Sequence, residues 1–213
     1  MVKAIADYRR SEIVEAAIST LVKHGLSNLS YDLIAEEADT TRQLIRHYYP
    51  TSENLMIEVC DYLAGVYHEL LGVAITELDQ TERLDLFLDF YFGLLDDTRL
   101  QKPKDDQYYD ALFALACRSE QLKQNLHNQY TSLRNAFTNE VKISYPELQI
   151  EACDEIAHLF VSLMYGHWKM VANLGFSEKL NQGARNGVER LIQSYRQHYT
   201  NPVDIRFESE GSQ

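Results

Sequence analysis

Apolar residues recur along the chain three and four positions apart, and nowhere at the every-second-residue spacing of a half-buried strand. Ile13, Ala17 and Leu21, with Val14 and Ile18 beside them, mark a first amphipathic helix. It is expected to stop at Gly25, because glycine takes the left-handed cap conformation without a Cβ clash. Ser30 and Asp32 open a second, short helix, the serine capping free amides and the carboxylate suiting the positive end of the helix dipole. Its apolar face is narrow, Ile34, Ala35 and Ala38, and the alanines permit close helix approach. Thr41 caps a third helix over 42–49, closed by Pro50, since the residue before a proline disfavours helical geometry. Thr51 or Ser52 opens a fourth, with Leu55, Val59, Leu63, Val66 and Leu70 along one side, running to about 78. The same spacing predicts a fifth helix over 82–95, a loop over 97–106, a sixth helix over 106–119 and a seventh over 120–144. Two long final helices follow over about 149–175 and 177–199, ahead of a polar tail, 201–213, expected to be frayed.

The pattern predicts an all-α chain: an N-terminal three-helix helix-turn-helix domain, 1–54, and a larger helical bundle, 55–200. Two short helices joined by a tight turn present the second of the pair to a major groove. In that second helix Ile45 and Tyr49 fall on one side at 100° per residue, and Gln43 and His47 on the opposite side, flanked by Arg42, Leu44 and Arg46. Arginine suits guanine O6 and N7 or a phosphate, glutamine the N6 and N7 edge of adenine, and leucine a thymine methyl.

Charge sharpens this reading. The chain of 213 residues has a formal net charge of -12, yet 40–52 contains no acidic residue. Residues 1–54 hold six Lys or Arg against eight Asp or Glu, a net of -2, which leaves -10 for the rest. The basic residues cluster at Arg9–Arg10 and over 42–47, and phosphate contact depends on where cations sit rather than on the total.

The segment LSYDLIAEEADTTRQLIRHYYPTSENL resembles the signature of the tetracycline-repressor (TetR) family of bacterial transcription regulators, and the C-terminal HLFVSLMYGHWKMVANLG weakly resembles its choline-sensing betaine-regulator subgroup. The resemblance implies an N-terminal DNA-binding domain and a ligand-binding, dimerising helical body. By position it implies DNA contacts from Thr41, Arg42, Gln43, His47 and Tyr48, the last on phosphate. Three residues depart from the family pattern. Asp39 stands where the turn usually has glycine, Thr40 replaces a buried valine, and Ser52 replaces a lysine, removing one phosphate cation.

The body carries Tyr62, Tyr91, Phe113, Tyr165 and Trp168 within an acidic composition, which favours an organic cation or aromatic effector over an anion or an acyl chain. Against this stands the ordinary role of aromatic residues at helical spacing, which is core. Val161, Leu191 and Ile192 on the last two helices are candidates for a two-fold homodimer interface. Glu155 and His158 form a single ExxH, whereas a di-iron bundle needs two such motifs and two further glutamates. Cys60, Cys117 and Cys153 form no CxxC pair, and no catalytic triad or phosphate loop is present, so neither a metal, a cofactor nor an enzyme activity is implied. Without an apolar leader or membrane span, a cytoplasmic protein is expected. The alternative function is a helical small-molecule-binding module or enzyme that has lost DNA binding.

Overall fold

The structure, a computed structural model, describes residues 2–76, 82–96, 100 and 106–198. Among these residues it is all-helical. The chain forms two compact units, 1–69 with 103–129 and 70–102 with 130–213. This division differs from a boundary at 54: the first turns of the fourth helix and the segment 103–129 belong with the N-terminal helices. The tail 201–213 lies outside the described residues. No described helix is long and apolar enough to cross a membrane.

In the first unit, α1 (Val2–His24) buries Ile13, Val14, Ala17 and Leu21, the face expected from spacing. Gly25 ends it with φ 73°, its N–H bonded to Leu21 O at 2.9 Å. A single 3₁₀ turn, Leu26–Asn28, leads to α2 (Tyr31–Glu37), where the Ser30 side chain accepts from Leu33 N. Helix α2 packs on α1 and on α3 (Arg42–Tyr48). The turn between α2 and α3 follows from hydrogen-bond geometry. Asp39 takes φ 45°, its N–H reaches Glu36 O at 3.3 Å, and Thr40 N–H reaches Ala35 O at 2.9 Å. These are the two backward bonds of a Schellman cap, with aspartate at the left-handed position usually held by glycine. Thr41 then caps α3 by accepting from Leu44 N.

Helix α4 (Ser52–Thr76) starts at Thr51, whose hydroxyl accepts from Asn54 N at 3.1 Å. Leu55, Val59, Cys60 and Leu63 are buried. Helix α6 (Asp106–Ala116) packs on α1, and α7 (Glu120–Ser144) begins at Ser119, which accepts from Leu122 N. Ser119 also donates to Glu53, Asn125 donates to Asp61 at 2.8 Å, and Gln129 donates to the Cys60 carbonyl at 2.9 Å.

The second unit is built on aromatic rings. Helix α5 (Arg83–Tyr91) buries Phe87, Phe90 and Tyr91, followed by buried Phe92. Phe137 of α7 stacks on Phe160 of α8 (Ile150–Trp168), ring centroids 4.0 Å apart, and Phe87 closes on both. Gly93 takes φ 63° and ends α5 with a second Schellman cap; a Cβ there would sit 3.3 Å from the Trp168 ring. Helix α8 continues into a π-helical turn, Lys169–Asn173, where a continuous helix over 149–175 was expected. A 3₁₀ turn, Glu178–Leu180, leads into α9 (Asn181–His198), which packs on α8.

Candidate nucleic-acid interface

Helix α3 is held on its inner side by two residues. Ile45 is fully buried and Tyr49 is 2% exposed, while Thr41, Arg42, Gln43, Arg46 and His47 are exposed and Leu44 and Tyr48 half-buried. The partition follows the 100° rotation per residue, so packing on α2 leaves the basic and amide side chains facing water. The C-terminal end is tied by Tyr31, whose hydroxyl donates to the Tyr49 carbonyl at 2.8 Å.

Two neighbours of α3 are visible only in the folded chain. The Arg10 guanidinium of α1 lies 5.7 Å from the Tyr48 ring centroid and 5.6 Å from that of Tyr49, within cation–π range of both. Asp32 of α2 receives Arg42 Nη1 at 3.0 and 3.4 Å on its two carboxylate oxygens. The cluster Arg9–Arg10 was readable as basic, but its place beside Tyr48 requires the packing of helices nearly 40 residues apart. The Asp32–Arg42 pair spans the turn, and Asp32 reads in sequence only as a favourable first-turn acid.

Ionisation on the inner side follows burial. Burial, reinforced by Glu58 and opposed by Arg10, pushes the Tyr49 phenol up to about 12. Tyr31 is raised by burial against the lowering field of Arg46. Glu37 is lowered by hydrogen bonds from Lys23 and Ser19, which fasten the end of α2 to α1.

The residues expected to bind an effector fall in both units. Tyr62 and Phe113 belong to the first unit, and Tyr91, Tyr165 and Trp168 to the second. The Tyr62 hydroxyl donates to Glu15 at 3.2 Å, and Phe113 is half-buried on α6. Tyr91 is 6% exposed, and its carbonyl accepts the Trp168 indole N–H at 2.8 Å, so this pair serves the packing of α5 on α8. The chain's own Lys169 covers the Tyr165 ring at 4.8 Å. On the last two helices Val161 and Leu191 are half-buried, but Ile192 is 1% exposed within the single chain and adds nothing to a free apolar face. Leu159 and Leu163 of α8, absent from the expected set, are the exposed leucines there.

Residues 13–59 match the model for bacterial regulatory proteins of the tetR family. The N-terminal domain is a TetR-family domain. Solved structures share the TetR fold along most of the chain. A TetR transcription regulator from Haloarcula marismortui ATCC 43049 aligns with a TM-score of 0.75 at 17% identity, over 88% of this chain and 98% of its own. A protein described as a transcriptional regulator from Pseudomonas aeruginosa PAO1 aligns at 0.72 and 21%, over 91% and 95%. A third, described likewise, from Saccharomonospora viridis and solved with choline, aligns at 0.71 and 15%, over 88% and 96%. No curated protein matches in sequence. The TetR match runs past 54 to residue 59, inside α4, in keeping with a first unit that includes the start of that helix.

Proposed function

We propose that the protein is a ligand-responsive transcription regulator, a repressor that binds a pseudo-palindromic operator as a homodimer and leaves it when a small molecule binds. The observation that carries this reading is the outer face of α3, where Arg42, Gln43, Arg46 and His47 are exposed above buried Ile45 and Tyr49 in a TetR-family domain. Gln43 and Arg42 read base edges, Tyr48 meets phosphate, and Arg10 supplies a second cation beside it. One head reaches one half-site, and the next lies about 34–36 Å away, so operator binding needs two copies. The half-buried Val161 and Leu191, with exposed Leu159 and Leu163, support an interface through α8 and α9.

The effector in this reading is an organic cation or a planar aromatic. The aromatic supply of the body and its acidic composition support that class, and the Saccharomonospora viridis protein of the same fold was solved with choline. Release follows from population shift, since a ligand that prefers the form with heads wrongly spaced for successive grooves removes DNA by its differential affinity. The protein acts in the cytoplasm and performs no catalysis.

Selection of bound sequences from random duplex DNA tests the assignment. Enrichment of an inverted repeat is the expected result, and its absence at low salt overturns it. The alternative, a helical binding module without DNA binding, draws on the net charge of -12 and on the carboxylate of Asp32 beside Arg42. The lack of any salt-dependent duplex binding would favour that alternative.

A further inference from the structure

Arg42 opens α3, and in the free protein its guanidinium is already engaged. Nη1 lies 3.0 Å from one Asp32 oxygen and 3.4 Å from the other, with side chains 50% and 68% exposed. An ion pair this open to water adds little to folding, because both partners are well solvated when apart and salt screens their attraction. Nor does α2 need Arg42 to accommodate Asp32, since a first-turn carboxylate is favoured by the helix dipole alone and Ser30 already caps the helix. The pair does have a consequence on the outer side of α3. Any phosphate or guanine that takes Arg42 must take it from Asp32, and must approach a carboxylate to do so. Arg46, one turn along, makes no ion pair among the described residues and meets any phosphate without that competition.

We propose that Asp32 is a positioning residue that sets DNA specificity by competing for Arg42. The inference rests on the DNA-binding reading above. On duplex of arbitrary sequence a single phosphate oxygen offers Arg42 little more than Asp32 does, so the pair persists and one cation is withheld. On the operator, a guanine O6 and N7 edge or a fixed phosphate offers a two-point acceptor, which matches the guanidinium fork and draws Arg42 away. Asp32 therefore lowers affinity for all DNA but lowers it least where the correct acceptor is present. Specificity arises from an attraction removed from the wrong sequences as well as one added for the right sequence.

Fluorescence anisotropy with the selected operator and a scrambled duplex of equal length, over a salt series, tests this. The proteins are wild type, Asp32→Asn, Glu36→Gln, which removes another exposed acid from α2, Arg42→Ala, and Arg42→Ala combined with each of the other two. The expected result is that Asp32→Asn binds the scrambled duplex about threefold tighter or more, and that its salt slope there steepens by about 0.9, one further phosphate neutralised. Operator affinity changes less, so the ratio falls, and in the Arg42→Ala background the effect of Asp32→Asn shrinks to that of Glu36→Gln. Equal effects of Asp32→Asn and Glu36→Gln in both backgrounds would overturn the proposal, since charge removal alone would then explain them. Weaker operator binding with an unchanged scrambled duplex would also overturn it, making the pair a pre-organising one. Wild type that binds neither duplex refutes the DNA-binding reading itself, an outcome distinct from either of these.

Discussion

Arg42 and Gln43 stand at the exposed start of α3, where truncation removes a contact without opening the core. Alanine at either position is expected to weaken operator binding by about 1–3 kcal/mol with the fold intact, whereas Tyr48→Phe should weaken all duplexes alike. Mobility-shift titration beside circular dichroism checks both. Asp39 shows a different single-residue effect. At φ 45° it occupies a region that other L-residues enter at a cost of about 1–2 kcal/mol, which its short polar side chain eases. Asp39→Ala should therefore cost about 1 kcal/mol in chemical denaturation and Asp39→Gly much less. Tyr49 supplies a pH signature. Its folded ionisation is pushed up to about 12 from the ordinary 10, so between those values the unfolded chain loses a proton that the folded chain keeps. Stability is thus retained below about pH 10 and lost as pH rises towards 12. Tyr49→Phe should show a smaller fall between about pH 10 and 12 by denaturant titration.

Among the elements, the starts of α2 and α3 were legible to the residue because they carry local chemistry. Ser30 and Thr41 cap through their own hydroxyls, and Gly25 and Asp39 turn left-handed, whereas the Ser119 cap of α7 was not read from the sequence. The interior of α8 held no such sign. Its departure into a π turn at Lys169–Asn173 comes where Trp168 is bound to the Tyr91 carbonyl, a constraint set by a residue 77 positions away. The outer face of α3 was legible from rotation alone, but its neighbours Arg10 and Asp32 were not, because they depend on which helix lies beside it. The same holds in the body, where the bond from Trp168 to the Tyr91 carbonyl joins residues 77 positions apart. The ring stack of the second unit has a calculable weight. Phe137→Ala, removing a fully buried ring stacked at 4.0 Å on Phe160, should cost about 3–5 kcal/mol in thermal or denaturant unfolding.

At the level of the whole molecule, the proposed regulator is a dimer, and sedimentation at micromolar concentration should find one. Arginine placed at Leu163, exposed on α8, should yield a folded monomer with no operator binding, whereas wild type that sediments as a monomer would defeat the two-half-site reading. Thermal-shift screening addresses the effector. A true ligand at 100 times its Kd stabilises the fold by about 2.7 kcal/mol, and quaternary ammonium or planar aromatic compounds should lead such a screen. Stabilisation by anions or long acyl chains alone would remove the cation and aromatic preference while leaving the regulator reading in place.

The side-chain bonds from 119–129 onto α4 bear on how this protein can be cut and recombined. Ser119, Asn125 and Gln129 hold Glu53, Asp61 and Cys60. Leu122 and Leu126 are buried in the same unit as Leu55, Val59 and Leu63. A fragment ending at 69 would lose those partners and bring Leu55, Val59 and Leu63 of α4 towards solvent. Grafting a foreign reading head by a single crossover near residue 54 would accordingly join mismatched surfaces. A working chimaera must carry the donor's own counterparts of both 1–69 and 103–129, two exchanged segments separated by more than 30 residues of recipient chain.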